Sequence, residues 1–123
     1  MDVRETPNSA GILVVNVELA TEQNGYFRHV ITTIDSGLQL VLMSLSPGRD
    51  IGLEIHPNTD QFLRVEEGSG IGQIGDKMYR LGPGDALIVP RGTQHNITND
   101  GIIDLKLYTL YSQPEHPHGL VEE

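Results

Sequence analysis

Glycine and proline recur along this chain at intervals too short for ordinary helices, with 14 Gly and 7 Pro among 123 residues. Between them lie short runs of Val, Ile, Leu, Thr and Tyr, which are residue types that favour β-strands. Turn signals such as SPGRD, IGDK, GPGD and PRGT supply glycine where a positive φ costs little. The pattern predicts an all-β fold, a double-sheet sandwich or barrel. The predicted strands cover residues 12–19, 26–33, 38–45, 52–56, 61–67, 71–75, 77–81, 85–90, 94–98 and 104–111.

Length and charge narrow the possible classes of function. A chain of 123 residues is long enough for one domain with its own core. Lys and Arg total 8 against 17 Asp and Glu, a formal charge of -9, which argues against nucleic acid or an anionic membrane as a partner. The chain has no cysteine, so any metal would be held by nitrogen and oxygen atoms. No signal peptide or spanning segment is recognised, and we expect a soluble, cytoplasmic protein.

The stretch GLEIHPNTDQF, residues 52–62, places polar side chains on one face of predicted strands. Because side chains alternate along a strand, Glu54 and His56 point to the same side. After the HPNTD turn, Gln61 shares a face with Leu63, so it points to the core if Leu63 does. Buried polar groups without partners cost several kcal/mol, on the order of 2 or more each, and a bound cation would satisfy them.

A second stretch, GDALIVPRGTQHNITN at 84–99, holds His95 behind a constrained turn. Pro90 fixes φ and ends the preceding strand, and Gly92 lets the chain reverse. The turn therefore fixes the direction in which the imidazole of His95 points.

Together the two stretches resemble the motifs of the cupin family of small jelly-roll barrels, G-x5-H-x-H-x4-E-x6-G and G-x5-P-x-G-x2-H-x3-N. Glu54 stands where the family has its first His, and Gln61 stands where it has Glu. The resemblance implies that residues 1–112 form a single cupin domain, with motifs at 48–68 and 84–99, and that 113–123 form a C-terminal tail. The matching motif residues are Gly48, His56, Gly68, Gly84, Pro90, Gly92, His95 and Asn99.

Carried over position by position, the resemblance implies a metal site made of Glu54, His56, Gln61 and His95. Two imidazoles, one carboxylate and one amide oxygen suit a divalent transition metal such as Zn, Mn, Fe or Ni. Simpler roles stay open for each residue. The histidines can be core or surface residues that never meet, Glu54 can face solvent, and Gln61 can hydrogen-bond a bound water or an imidazole instead of a metal.

Cupins include isomerases, dioxygenases, epimerases, lyases and binding proteins, so the resemblance leaves the reaction open. The chain also resembles small bacterial cupins labelled as similar to mannose-6-phosphate isomerase. We expect a metal-dependent enzyme acting on a small oxygenated metabolite, by sugar isomerase or epimerase-like chemistry. The alternatives are a non-haem iron dioxygenase and a non-catalytic small-molecule binding or sensing module. No general base stands out in the sequence.

The resemblance also implies a homodimer, because cupins commonly pair edge strands between subunits. The tail SQPEHPHGLVEE has two prolines and no apolar periodicity. We expect it to be mobile and dispensable for folding. The alternative is that His116 and His118 lie over the barrel mouth.

Overall fold

The computed structural model describes residues 3–5, 12–31, 37–117 and 119–123, with residues 3–5 described by their backbone alone. Positions 32 and 33 of one predicted strand, and His118, lie outside the described residues. The described part contains no helix with the length and apolar character needed to cross a membrane. Its elements are β1 (Val3–Glu5), β2 (Val14–Val15), α1 (Val17–Gln23), β3 (Arg28–Ile31), β4 (Gln39–Leu45), β5 (Asp60–Glu67), β6 (Gly70–Ile74), β7 (Lys77–Leu81), β8 (Ala86–Val89), β9 (His95–Thr98), β10 (Leu105–Ser112) and β11 (Val121–Glu122).

Two antiparallel sheets make up the body of the protein. One has six strands in the order β11-β3-β4-β10-β5-β8, and the other has three in the order β7-β6-β9, while β1 and β2 pair separately. The main hydrophobic cluster joins Met43 and Leu107 of the larger sheet to Leu81 and Ile97 of the smaller one. The two sheets therefore pack face to face, and the predicted all-β jelly-roll barrel is confirmed.

Strands β5 and β10 show the alternation that places the site. Buried and partly exposed residues alternate along both strands. Gln61, Leu63 and Val65 are each 3% exposed, so the predicted shared inward face of these residues is confirmed.

The predicted strand at 12–19 is wrong beyond β2, because a short helix begins at Val17. The side chain of Asn16 caps this helix by accepting from the Leu19 amide at 3.0 Å. Ala20 is fully buried in a cluster with Leu42, on the face of the larger sheet opposite the main core. The cap and this packing outweigh the strand preference of the Val-rich run.

The predicted strand at 52–56 is reduced to one antiparallel bridge between Glu54 and His95. Gly52 precedes the bridge with a φ of 92°, and Pro57 follows it without an N–H to donate. Both flanks therefore stop the ladder from continuing beyond the single bridge.

The segment after β10 lies against the barrel, in contrast to the mobile tail expected from the sequence. Strand β11 extends the larger sheet beside β3, and Leu120 packs on the main hydrophobic cluster. The Gln39 side chain donates to the carbonyl of His116 at 2.8 Å. Single contacts of this kind leave no periodic pattern in the sequence, so the sequence does not predict them.

Candidate functional site

The structure brings Glu54, His56 and His95 together at one end of the barrel. Residues that face each other in an antiparallel bridge project to the same side, so Glu54 and His95 share a face. Oε2 of Glu54 lies 3.5 Å from Nε2 of His56, and the rings of His56 and His95 have centroids 5.1 Å apart. The predicted convergence of these side chains is what the structure shows.

His95 is oriented by the main chain of the turn before it. It is 1% exposed, and its Nδ1 lies 3.0 Å from the carbonyl oxygen of Thr93. A carbonyl can only accept, so Nδ1 carries a proton, and whenever the ring is neutral the lone pair is on Nε2. That Nε2 is buried and has no hydrogen-bond partner in the described part of the chain.

His56 is oriented in the same sense by a carboxylate. Its Nδ1 lies 2.9 Å from Oε1 of Glu115, and an ionised carboxylate only accepts. Within the described residues, Nε2 of His56 is also buried without a hydrogen-bond partner. In both histidines Nδ1 is engaged by a neighbouring residue, and when the ring is neutral the free lone pair is therefore on Nε2, on the other side of the ring.

Gln61 occupies the same end of the barrel through its contacts with β10. Its amide nitrogen donates to the hydroxyls of Thr109 at 3.0 Å and Tyr111 at 3.2 Å. Both amide hydrogens are then used, and Oε1 is left buried without a partner among the described residues. The Tyr111 ring lies 5.7 Å from the His56 ring, measured between centroids, which connects Gln61 to the histidines.

The residues present fit a metal ion by their donor atoms. Among the described residues, no three His, Asp or Glu side chains are already grouped closely enough to hold an ion. However, the unpartnered atoms of His56, His95 and Gln61 all carry lone pairs, and buried lone pairs without partners are costly. The side chain of Glu54 is 25% exposed, and its Oε2 lies 3.5 Å from Nε2 of His56. The set of donors therefore suits a divalent transition metal.

Tyr111 is a site residue for which the sequence alone favours packing within a strand, with lining of the barrel mouth as the alternative. It pairs with Gln61 on one side and Gln39 on the other, and all three side chains are buried. Burial, and to a smaller extent the negative charge of Glu54, raise the pKa of Tyr111, so its hydroxyl stays protonated at neutral pH. The alternation in DLKLYTLY contained this signal, because Tyr111 shares its face with Leu107.

His116 and Glu115 bring the C-terminal segment into the site. Nε2 of His116 lies 3.3 Å from the Tyr111 hydroxyl. Burial, followed by the positive charge of Arg28, lowers the pKa of His116 to about 4, so this imidazole is neutral at pH 7. His116 is a candidate from the sequence alone, whereas no local pattern indicates Glu115, because its partner His56 lies 59 positions earlier in the chain.

Comparisons with known proteins agree with this architecture. The family model described as the cupin domain matches residues 41–111. The uncharacterized protein YrkC of Bacillus subtilis is 48% identical over 116 residues, which cover 89% of this chain and 62% of that protein. An uncharacterized protein of Acanthamoeba polyphaga mimivirus is 44% identical over 119 residues, which cover 94% of this chain and 74% of that protein.

A solved structure gives the same result in three dimensions. A Bacillus halodurans protein superposes with a TM-score of 0.89 at 46% identity, covering 97% of this chain and 94% of that chain. The chain spans less than two thirds of the length of YrkC, at 62%, but nearly all of the Bacillus halodurans chain. From the fold, the matched domain and these relatives, we conclude that the chain belongs to the cupin family.

Proposed function

We propose that this cupin binds one divalent transition metal at the end of its barrel and acts on a small oxygenated metabolite. One observation carries the proposal: Nε2 of His56, Nε2 of His95 and Oε1 of Gln61 are buried atoms without a hydrogen-bond partner in the described part of the chain. Both histidines engage Nδ1 elsewhere, which is the arrangement usual for histidines that bind metals.

His56 and His95 would hold the ion through Nε2, and Glu54 and Gln61 would add oxygen ligands. Zn, Mn, Fe(II) and Ni all accept such a set of nitrogen and oxygen donors. When bound, such an ion supplies Lewis-acid polarisation of a substrate carbonyl or enediol. We place the activity with sugar isomerases and epimerases, in which a proton must also leave a carbon atom and return either to the neighbouring carbon or to the opposite face of the same carbon.

Tyr111 and His116 supply the proton-transfer group that the sequence did not reveal. The Tyr111 hydroxyl is held protonated by burial, and the neutral His116 ring faces it at 3.3 Å. The hydroxyl can accept a proton from the substrate side as it passes its own proton to Nε2 of His116. This pair is our candidate for a proton relay, and the lowered pKa of His116 means that it returns the proton readily instead of keeping it.

A second candidate function is a non-haem iron dioxygenase. The observation that favours it is the grouping of Glu54 with His56 and His95, which matches the two histidines and one carboxylate used by such enzymes. Iron in the purified protein together with oxygen consumption would favour this reaction over isomerisation.

Elemental analysis of protein purified without added metal or chelator tests the proposal. We expect about one transition-metal ion per chain, since the site has one set of donors. His56→Ala and His95→Ala should each lose the ion. His29→Ala is the matched control, because His29 lies on β3 and contacts Tyr26 instead of the site. Full metal occupancy in the His56→Ala, His95→Ala double variant would overturn the proposed metal site. If the protein binds a small molecule saturably but shows no turnover, the proposed catalytic activity is wrong and the protein is a non-catalytic binding module.

A further inference from the structure

We propose that Glu115, in the C-terminal segment, is a positioning residue for His56. It keeps the proton of the imidazole on Nδ1, so that Nε2 presents its lone pair to a ligand. The inference rests on the proposed function, because metal binding at His56 is what this positioning would serve.

The Glu115 carboxylate is held through both of its oxygens. Oε1 lies 2.9 Å from Nδ1 of His56, and Oε2 accepts from the Thr59 hydroxyl at 3.0 Å. Thr59 is buried, and the Glu115 side chain is 31% exposed against 7% for His56. Two separate donors fix the plane of the carboxylate, which a single surface contact would not do.

The backbone that carries Glu115 is clamped as well. The buried Gln39 side chain accepts from the amides of Glu115 at 3.1 Å and His116 at 3.0 Å, and it donates to the His116 carbonyl at 2.8 Å. One side chain thus makes three hydrogen bonds to two successive residues. Because Gln39 belongs to β4, these bonds hold the backbone of Glu115 at a fixed position on the larger sheet, which favours a defined geometry between its carboxylate and His56.

The tautomer matters because only a nitrogen without a proton can bind a metal. In neutral histidine the proton can sit on either nitrogen, and the hydrogen bond made by one nitrogen decides the state of the other. A carboxylate on Nδ1 also raises the basicity of Nε2. The carbonyl of Thr93 does the same for His95, so the two histidines are set by different parts of the chain.

The tautomer of His56 in metal-free protein tests the positioning directly. Long-range ¹H–¹⁵N NMR correlations, recorded at a pH at which the ring is neutral, should show the proton on Nδ1 in the unchanged protein, although Oε2 of Glu54 lies 3.5 Å from Nε2. Glu115→Ala should shift the proton toward Nε2, whereas Glu115→Gln keeps an acceptor oxygen and should largely retain it on Nδ1. Glu122→Ala is the control, because it removes the carboxylate that pairs the same segment with Arg28 and should leave His56 unchanged. An unchanged tautomer in Glu115→Ala, or the same shift in Glu122→Ala, would overturn the inference.

Calorimetric titration with Zn²⁺ separates this inference from the proposed function. Loss of a residue that orients a metal ligand typically weakens affinity about 10- to 100-fold, and we expect that loss for Glu115→Ala but not for Glu122→Ala. If the unchanged protein binds no Zn²⁺, Mn²⁺, Fe²⁺ or Ni²⁺ yet shows the expected tautomers, the proposed function fails and the positioning stands. If metal binds but Glu115→Ala changes neither tautomer nor affinity, the positioning fails and the metal site stands.

Discussion

Gln61 donates its side-chain amide to the hydroxyl oxygen of Thr109 across 3.0 Å. Thr109 is fully buried in β10, and the second amide hydrogen goes to Tyr111. The amide nitrogen of Gln61 is therefore the end that two inward-facing hydroxyls of one strand engage. The oxygen is left as the unpartnered atom, and this makes Gln61 informative for mutation.

Gln61→Glu should weaken the metal-free protein and strengthen metal binding. A carboxylate cannot donate to Thr109 or Tyr111, and it adds a buried negative charge near that of Glu54, so we expect a loss of about 1–3 kcal/mol in unfolding free energy. With metal present, the added charge should raise affinity by roughly tenfold. Melting curves with and without chelator, and metal titration, measure both effects.

Gln73→Glu serves as the control for this substitution, since Gln73 bonds the backbone of a hairpin turn outside the site. Equal metal affinities and equal chelator responses for Gln61→Glu and the unchanged protein would show that Gln61 does not contact an ion.

The direction of Gln61 was predictable because partly exposed and buried residues alternate in β5 from Asp60 to Glu66. Because Leu63 lies on the same face of the strand and is expected in the core, the side chain of Gln61 is predicted to point into the core as well. The orientation of His95 followed similarly from Pro90 and Gly92, which constrain the turn before it. Local geometry decides these features, so the sequence contains them.

Other parts of the site depend on contacts between residues far apart in the chain. Gln39 meets His116 across 77 positions, and no local pattern reports a single hydrogen bond of that kind. The helix after Asn16 was missed because a Val-rich run favours a strand until a cap and a packing surface are available. In both cases the observed structure depends on tertiary contacts that the local sequence does not reveal.

Acid should destabilise the metal-free protein through His116. Its folded-state pKa is lowered from 6.5 to about 4, first by burial and then by Arg28, so the unfolded chain binds the proton more strongly between these values. Unfolding free energy should therefore fall as the pH drops from about 6.5 toward 4. The ring is partly exposed, which limits the effect to the order of 1 kcal/mol.

Urea unfolding across that pH range, in the presence of chelator, measures the contribution of His116. His116→Gln should have a shallower dependence on pH than the unchanged protein. Parallel curves for the two proteins would show that His116 titrates normally in the folded state.

Asn99→Ala should be among the most damaging single substitutions outside the site. The Asn99 amide donates to the carbonyls of Leu45 and Ile103 at 2.8 Å each, and its oxygen accepts from the Gly101 amide at 2.8 Å. Truncation leaves three backbone groups without partners, and we expect a loss of about 2–4 kcal/mol in unfolding free energy.

Asn58→Ala is the matched control for Asn99, because Asn58 is exposed in the turn between the bridge segment and β5. It should change the urea midpoint little. Similar losses for the two variants would mean that the buried amide network of Asn99 does not stabilise the fold.

Removing the chain after Ser112 should lower both stability and metal affinity. The deletion removes the pairing of β11 with β3, the packing of Leu120 on the core and the contact of Glu115 with His56. We expect the melting temperature to fall by roughly 5–10 °C, which corresponds to about 1–3 kcal/mol at this size.

A chain ending at Gly119 is the control, because it loses β11 and Leu120 but keeps Glu115 and the hydrogen bonds from Gln39 that hold its backbone. That shorter deletion should lower the melting temperature while leaving Zn²⁺ affinity within about threefold of the full chain, a small change beside the loss expected without Glu115. An unchanged melting curve after removal of residues 113–123 would instead support the mobile, dispensable tail that the sequence alone predicts.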